Sequence, residues 1–599
     1  MTARSSRSAQ ALLVAIVALL AVVLLYPIWL TLEGAFRTRD GEGWTLRHIL
    51  TVFTDPLLRE GLLNALMIAT LTTALSLLLA LPLAFVGART SFRGQALLSS
   101  LVLLPLILPP FVGAIGMRQM LGRRGALNGL LESMGVIDAP IDFLGGGGLF
   151  GVVVVEALHL YPILYLNLVA ALANLDPALE EAAENLGAGR WRRFRRIVLP
   201  LIRPGLFAGG TIVFIWSFTE LGTPLMFEFH RVTPVQIFNG IKEIADSREP
   251  YALTAVMLLS AAALYALGRL AFGGRAYAMY AKASIQARPR RLAGLRAAGA
   301  MALFGGVTLL AALPHIFVVL VALAVPGTWY ATVLPQAWTI EFLEAAVSHP
   351  VAADAIRNSL LYSSLAVAIT VVIGLAVARL LVRTRVRGRG LLDALVMLPL
   401  AVPGLVIAFG YVAVTFRWPF GGTIPPWLAW LRHLLPDRVF AAISDAPLAG
   451  WADVVGADPN PVGLLVVAYA VRRLPYVVRA AVAGLEQTSS ELEEAAFMLG
   501  ASRFTVLRRI VVPLIAANLI AGALLAFSFA MLEVSDSLIL AQRQVHYPIT
   551  KAIFVLNERL GDGQALASAM GVWGMALLAT TLIAASVFMG RRLGAVFRL

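Results

Sequence analysis

The chain has 599 residues, 59% of them apolar, no cysteine, and a formal net charge of +14 from 48 Lys and Arg against 34 Asp and Glu. A mean hydropathy of +0.83 excludes an ordinary soluble globule and points to a polytopic membrane protein. The absence of cysteine excludes disulfides, thiol catalysis and Cys-ligated metal. The basic residues sit beside apolar runs and not on a soluble face, which sets aside nucleic acid as a partner.

A helix needs about 20 apolar residues to cross the hydrocarbon. Twelve such stretches are predicted, at roughly 11–32, 61–88, 96–117, 149–173, 198–227 and 251–272, then 299–325, 358–382, 391–416, 462–485, 511–535 and 565–590. The fold class is therefore all-α, a polytopic membrane protein of about twelve transmembrane helices. The first stretch, Ala11 to Leu32, follows Arg4 and Arg7; it is longer than the apolar part of a secretory signal and lacks a convincing small-residue cleavage site, so a retained span is predicted. Placing the N-terminus in the cytoplasm puts the excess of Lys and Arg on the inner side, as the charge rule for loops requires. An even number of spans then puts Arg591, Arg592 and Arg598 inside as well.

A twenty-residue phrase occurs twice, EAAENLGAGRWRRFRRIVLP from Glu181 to Pro200 and EAAFMLGASRFTVLRRIVVP from Glu494 to Pro513. Both copies place Gly six residues after the Glu, Ile at sixteen (Ile197, Ile510) and Pro at nineteen. The repeat reaches further: Arg89, Pro105, Pro109 and Gly116 recur 294 residues on as Arg383, Pro399, Pro403 and Gly410. From Pro162 and Pro475 to Glu220 and Glu533 the offset is 313, so about 19 extra residues fall in the Trp- and Pro-rich stretch 418–461 of the second half. The chain divides into halves 1–272 and 299–599, each of about six spans, joined by a basic cytoplasmic linker at 273–298. Parallel repeats of this kind imply a pseudo-twofold axis along the membrane normal, with a path between the halves.

Within the signature loops, 176–200 and 489–513, Asp176-Pro177 and Ser489-Ser490 are helix-start signals. Glu180 and Glu181, with Glu491, Glu493 and Glu494, suit the positive end of a helix dipole. Ala182-Ala183 and Ala495-Ala496 offer a small surface for close packing, and Gly187 and Gly500 can turn left-handed to end the helix. The arginines that follow read as anchors near anionic headgroups of the lipid bilayer.

The phrase Glu-Ala-Ala, three residues, Gly resembles the cytoplasmic loop of permease subunits of binding-protein-dependent ABC importers. The resemblance covers nearly the whole chain. It implies that Glu181, Ala182, Ala183 and Gly187, with Glu494, Ala495, Ala496 and Gly500, form coupling helices that dock on two copies of an ABC ATPase. It also implies a periplasmic or surface substrate-binding protein and a multi-pass location in a bacterial inner membrane, both termini cytoplasmic. Two halves fused in one chain look most similar to the ferric-iron branch, with thiamine, phosphonate, polyamine and sugar-phosphate permeases nearby. A gradient-driven secondary transporter is the alternative class, but its loops would not need the same phrase twice. The sequence has no Gly-x-x-x-x-Gly-Lys-Ser/Thr loop and no protease, kinase or nucleophile motif. No catalytic residue and no bound cofactor is therefore assigned to this chain; ATP and Mg belong to the partner ATPase.

Ionisable residues within spans are costly and are functional candidates. Glu220 and Glu533 occupy equivalent places in the fifth spans, with Asp536 three residues beyond. Glu156, His159 and Tyr161 precede Pro162 in one fourth span; Tyr469, Arg472 and Arg473 precede Pro475 in the other. Glu156, Tyr161, Glu220, Glu533 and Asp536 form the candidate translocation path, oxygen donors suited to a hard cation. Arg472 and Arg473 would suit an anion, or would serve carbonyls freed by the proline kinks. His159 alone is a weak metal signal, and no metal-ligand set is assigned.

Overall fold

Proline and glycine decide where the apolar runs stay straight and where they break. The computed structural model describes residues 7–39, 43–106, 108–145, 148–272, 289–329, 332–444, 447–456 and 458–589. Arg591, Arg592, Arg598 and most of the 273–298 linker lie outside the described residues.

Among the described residues eight helices are long and apolar enough to cross a membrane: Arg7–Phe36, Pro56–Arg89, Leu149–Ala173, Arg190–Phe218, Glu249–Leu270, Gly294–Leu323, Pro350–Arg383 and Gly563–Ala584. Three more candidates are bent pairs, Gln95–Leu106 with Pro110–Ser133, Arg389–Ala401 with Gly404–Thr415, and Arg503–Leu514 with Ala516–Met531, bent by 93°, 102° and 76°. The stretch expected at 462–485 is a helix of 25 residues, Val462–Glu486, interrupted by Arg472, Arg473 and Arg479. Its charges deny it the composition of an ordinary lipid-facing span.

The unbroken spans expected at 96–117 and 391–416 are corrected to broken ones. Pro109 and Pro403 stand at the breaks, where a proline removes a backbone donor and clashes with the preceding turn; Pro105 and Pro399 lie four residues earlier, Pro399 within its helix. Carbonyls freed in this way are tolerated at membrane depth only when the protein satisfies them. In the first half Tyr161 donates its hydroxyl to the Val102 carbonyl at 3.1 Å, His159 Nδ1 lies 2.6 Å from the Pro105 oxygen, and His315 Nε2 lies 3.2 Å from that of Pro109.

The halves embrace reciprocally. Gly116 of the first half packs so closely on the Pro314 carbonyl that a Cβ would overlap its oxygen. Gly410, its repeat equivalent, packs on Pro27, where a Cβ would lie 2.7 Å from the carbonyl oxygen. The first span of each half thus lies against the third span of the other.

The second spans are the longest unbroken helices among the described residues, 34 residues in each half. Asp55 caps one by accepting from the amides of Leu57 and Leu58, with Pro56 in the first turn. Asn64 donates to the Arg231 carbonyl at 2.6 Å, and Asn358, 294 residues on, to that of Val545 at 2.8 Å. Where the second span of the first half ends, Thr90–Ser91 pairs in parallel with Arg290–Arg291.

Candidate functional site

Two places unite the residues singled out in the sequence: the signature loops and the seam where the fifth spans meet.

In the first loop Asp176 accepts from the Ala178 amide at 2.9 Å and starts a helix, Pro177–Asn185. In the second, Ser489 Oγ accepts from the Glu491 amide at 3.2 Å and the helix runs Glu491–Met498, while Ser490 makes no side-chain cap. Both helices end identically. Gly187 and Gly500 take φ values of +79° and +82°, and the next amides, of Ala188 and Ala501, return to the carbonyls of Ala183 and Ala496 at 2.9 and 3.0 Å. A Cβ on either glycine would meet nothing within 4 Å, so glycine is there for its backbone conformation and not for space. The neighbouring Leu186 and Leu499 are 87% and 89% exposed, apolar side chains left almost uncovered by the described residues. After each loop the chain makes one wide helical turn, Phe194–Val198 and Leu507–Val511, before Pro200 and Pro513.

Arg89 forms a two-pronged ion pair with Glu180, and Arg383 pairs with Glu493 at 2.8 Å. In the sequence Glu180 and Glu493 read only as dipole partners. The signal that could have found these links was the recurrence of both members, the arginines at one repeat offset and the glutamates at the other.

At the seam a Cβ on Gly222 would lie 2.7 Å from Val534 Cγ1, so the ends of the two fifth spans touch. Glu220 and Glu533 flank this contact. Glu220 Oε1 accepts from the amides of Gly222 and Thr223 at 3.1 and 3.3 Å. Glu156, 2% exposed, accepts from Ser217 Oγ through one oxygen, and its other oxygen has no hydrogen-bond partner among the described residues. The turn that carries Ser217 also holds the Glu220 amide, 3.3 Å from the Ser217 carbonyl. Among the described residues neither Glu156 nor Glu220 is in an ion pair.

The second half is built differently. Glu533 is held between Arg472 and Arg473, and Arg472 also lies 3.5 Å from Asp536, which is fully buried with Oδ1 unpartnered. These arginines bind acids, and only Arg473 adds a backbone carbonyl, that of Phe529 on the neighbouring helix at 3.0 Å. The expectation that they serve kink carbonyls of their own span is therefore corrected. Gly404 clears room for the Arg472 guanidinium, which any side chain there would displace. Thr550 donates to the Glu533 carbonyl at 2.7 Å. Buried Lys551, not singled out by the sequence, donates to the Leu538 carbonyl at 3.1 Å and lies 5.3 Å from the Phe238 ring centre of the other half. Tyr161, read as a path donor, spends its hydroxyl on Val102 at the break of the third span.

The family described as binding-protein-dependent transport system inner membrane component matches residues 76–273 and again 370–595. The chain belongs to this family. As a member it is the multi-pass inner-membrane permease of an ABC importer, serving a separate ATPase subunit and a substrate-binding protein, and it is not itself an enzyme. The ferric transport system permease protein FbpB of Actinobacillus pleuropneumoniae is 25% identical over 568 residues, covering 92% of this chain and 74% of that one. The spermidine/putrescine permease PotB of Haemophilus influenzae is 34% identical over 32% of this chain and 68% of its own length. The molybdenum permease ModB of Escherichia coli K12 is 35% identical over 29% and 74%.

Proposed function

We propose that this permease passes ferric iron from its binding protein to the cytoplasm along the seam between halves 1–272 and 299–599. The observation that carries the cargo is the span of the likeness. A ferric permease aligns across 92% of the chain, whereas the polyamine and molybdenum permeases align with about a third of it. The chemistry agrees: ferric iron is a hard cation that prefers oxygen ligands, and Glu156 and Glu220 stand at the seam without a cationic partner among the described residues. Glu156, Glu220, Glu533 and Asp536 are the path residues of this reading.

The helices Pro177–Asn185 and Glu491–Met498 act as coupling helices, one for each of two ATPase copies that hold the ATP and Mg. The arginine-rich loops support a cytoplasmic position for both termini.

The test is uptake in proteoliposomes containing the chain, its ATPase and its binding protein. ATP-dependent entry of ferric iron, with no entry of molybdate or putrescine, is the expected result; entry of either of those without iron overturns the cargo. Native mass spectrometry should find two ATPase copies per chain, and a single copy would overturn the pairing of one ATPase with each loop.

A further inference from the structure

Each signature helix has little apolar grip on the rest of the protein. Pro177–Asn185 buries no residue, and Glu491–Met498 buries only Glu493. Each is held by an arginine at the last position of the second span of its own half, and the first is tied to its own flanking chain as well, Glu184 pairing with Arg193. Arg89 ends Pro56–Arg89 and grips Glu180 with two prongs, one of 2.9 Å; Arg383 ends Pro350–Arg383 and pairs with Glu493 at 2.8 Å, reinforced by Arg379 at 3.3 Å. Two-pronged pairs fix orientation as well as distance. The second link is the more elaborate: Arg383 also donates to the carbonyls of Leu485 and Thr488 at 3.0 and 2.8 Å. In the first, Phe85 stands where the second half has Arg379. It lies under the Arg89 guanidinium, 5.0 Å from ring centre to Cζ, and edge-on to Phe194 of the wide turn after the loop.

The second spans in turn pack closely on the fourth. Ser76 donates to the Ala157 carbonyl, next to Glu156, at 3.3 Å, and a Cβ on Gly374 would lie 3.0 Å from Val477 of the helix that carries Arg472. A continuous route therefore runs from signature helix to second span to the charged fourth span, in both halves.

We propose that Arg89–Glu180 and Arg383–Glu493 are transmission links, positioning residues that make each second span move with its coupling helix when the ATPase subunits close. This rests on reading Pro177–Asn185 and Glu491–Met498 as coupling helices. Without the links the helices would rock on their flanking chain while the spans stayed still. A route of this kind is established only by perturbing it and finding the two ends uncoupled.

The experiment uses the full complex in proteoliposomes, with cysteines placed at Ala183 and Ala496 of this cysteine-free chain for cross-linking to the ATPase. Arg89→Glu and Glu180→Arg are made singly and together, and Glu493→Gln is made in the second half. Each single variant should keep the cross-link and ATP hydrolysis while transport per ATP falls about tenfold, and the charge-swapped double should recover most of the loss. If a single swap fails to assemble, Arg89→Lys, which keeps the charge but loses one prong, should show a smaller fall of the same kind. Single variants within roughly twofold of the parent, or a double no better than its singles, would overturn the proposal. A parent complex that gives no cross-link at either position would instead overturn the coupling-helix reading itself.

Discussion

The two halves of this permease share their mechanics and differ in their electrostatics. Positions that set how helices meet recur at the repeat offsets with the same contacts: Asn64 and Asn358 on loop carbonyls, Gly116 and Gly410 on proline carbonyls, Gly187 and Gly500 with positive φ, Arg89 and Arg383 on acids of the signature loops. The charged positions of the fourth spans do not recur. Where the first half has Glu156, His159 and Leu160, the second has Tyr469, Arg472 and Arg473. Duplicated surfaces that must fit one pseudo-axis tolerate little change, since a substitution in either copy spoils a contact with the other. The seam faces no such constraint. On the proposed path a cation would meet, among the described residues, carboxylates without an ion partner on one side and arginine-held carboxylates on the other.

The largest test of that asymmetry is Glu533→Gln against Glu220→Gln. Removing one partner of a buried ion pair costs about 3–5 kcal/mol, because Arg472 is left with Asp536 at 3.5 Å and Arg473 with the Phe529 carbonyl. Glu220 makes only hydrogen bonds to two amides, which a Gln oxygen can still accept, so its loss should be about 1 kcal/mol or less. Thermal unfolding of the purified complex measures both. Equal shifts would mean that the halves are electrostatically alike after all. Ferric uptake should fall in either variant and further in the double, if both acids flank the path.

A smaller difference is expected at the crossing of the first and third spans. Gly116→Ala forces the Pro314 carbonyl away outright, whereas Gly410→Ala meets its neighbour at 2.7 Å and needs less displacement. Overpacking of this kind costs about 1–3 kcal/mol, and Gly116→Ala should lie at the upper end. Gly187→Val and Gly500→Val should sharpen the other side of the comparison by behaving alike. Neither Cβ touches anything, so each suffers only the left-handed backbone strain of about 1–2 kcal/mol. Both should lower transport per ATP without preventing assembly, and a marked difference between them would break the mechanical equivalence of the halves.

What the sequence made legible follows this same division. Apolar run length located the spans and the repeated phrase located both signature helices, because length, capping and glycine conformation are local properties. The breaks at Pro109 and Pro403 were not foreseen. A membrane proline breaks a helix only where neighbouring groups satisfy the freed carbonyls, and His315, which serves Pro109, comes from 206 residues away. The partners of Arg472 and Arg473 escaped for the same reason, lying on the fifth span 60 to 64 residues further on. The acids of the seam could be named from their cost in a membrane, but not which of them the protein had already paired.

The smallest expected effect falls on Tyr161. It is fully buried, and its hydroxyl donates to the Val102 carbonyl where the third span breaks. Tyr161→Phe keeps the ring and its packing but leaves that carbonyl without its donor, a loss of about 1 kcal/mol. Tyr469→Phe is the natural control, since Tyr469 is equally buried and its hydroxyl lies 2.6 Å from Ser537 Oγ, four residues beyond Glu533. If Tyr161 only closes the break, its variant should lose a little thermal stability and keep iron uptake per ATP at the parent level, because no acid of the seam loses a partner. Removing the Tyr469 hydroxyl leaves Ser537 bonded to the Glu533 carbonyl alone and should disturb uptake more than stability. The reverse pattern, with Tyr161→Phe impairing uptake at unchanged stability, would return Tyr161 to the path as an oxygen donor and make the first half the richer side of the seam.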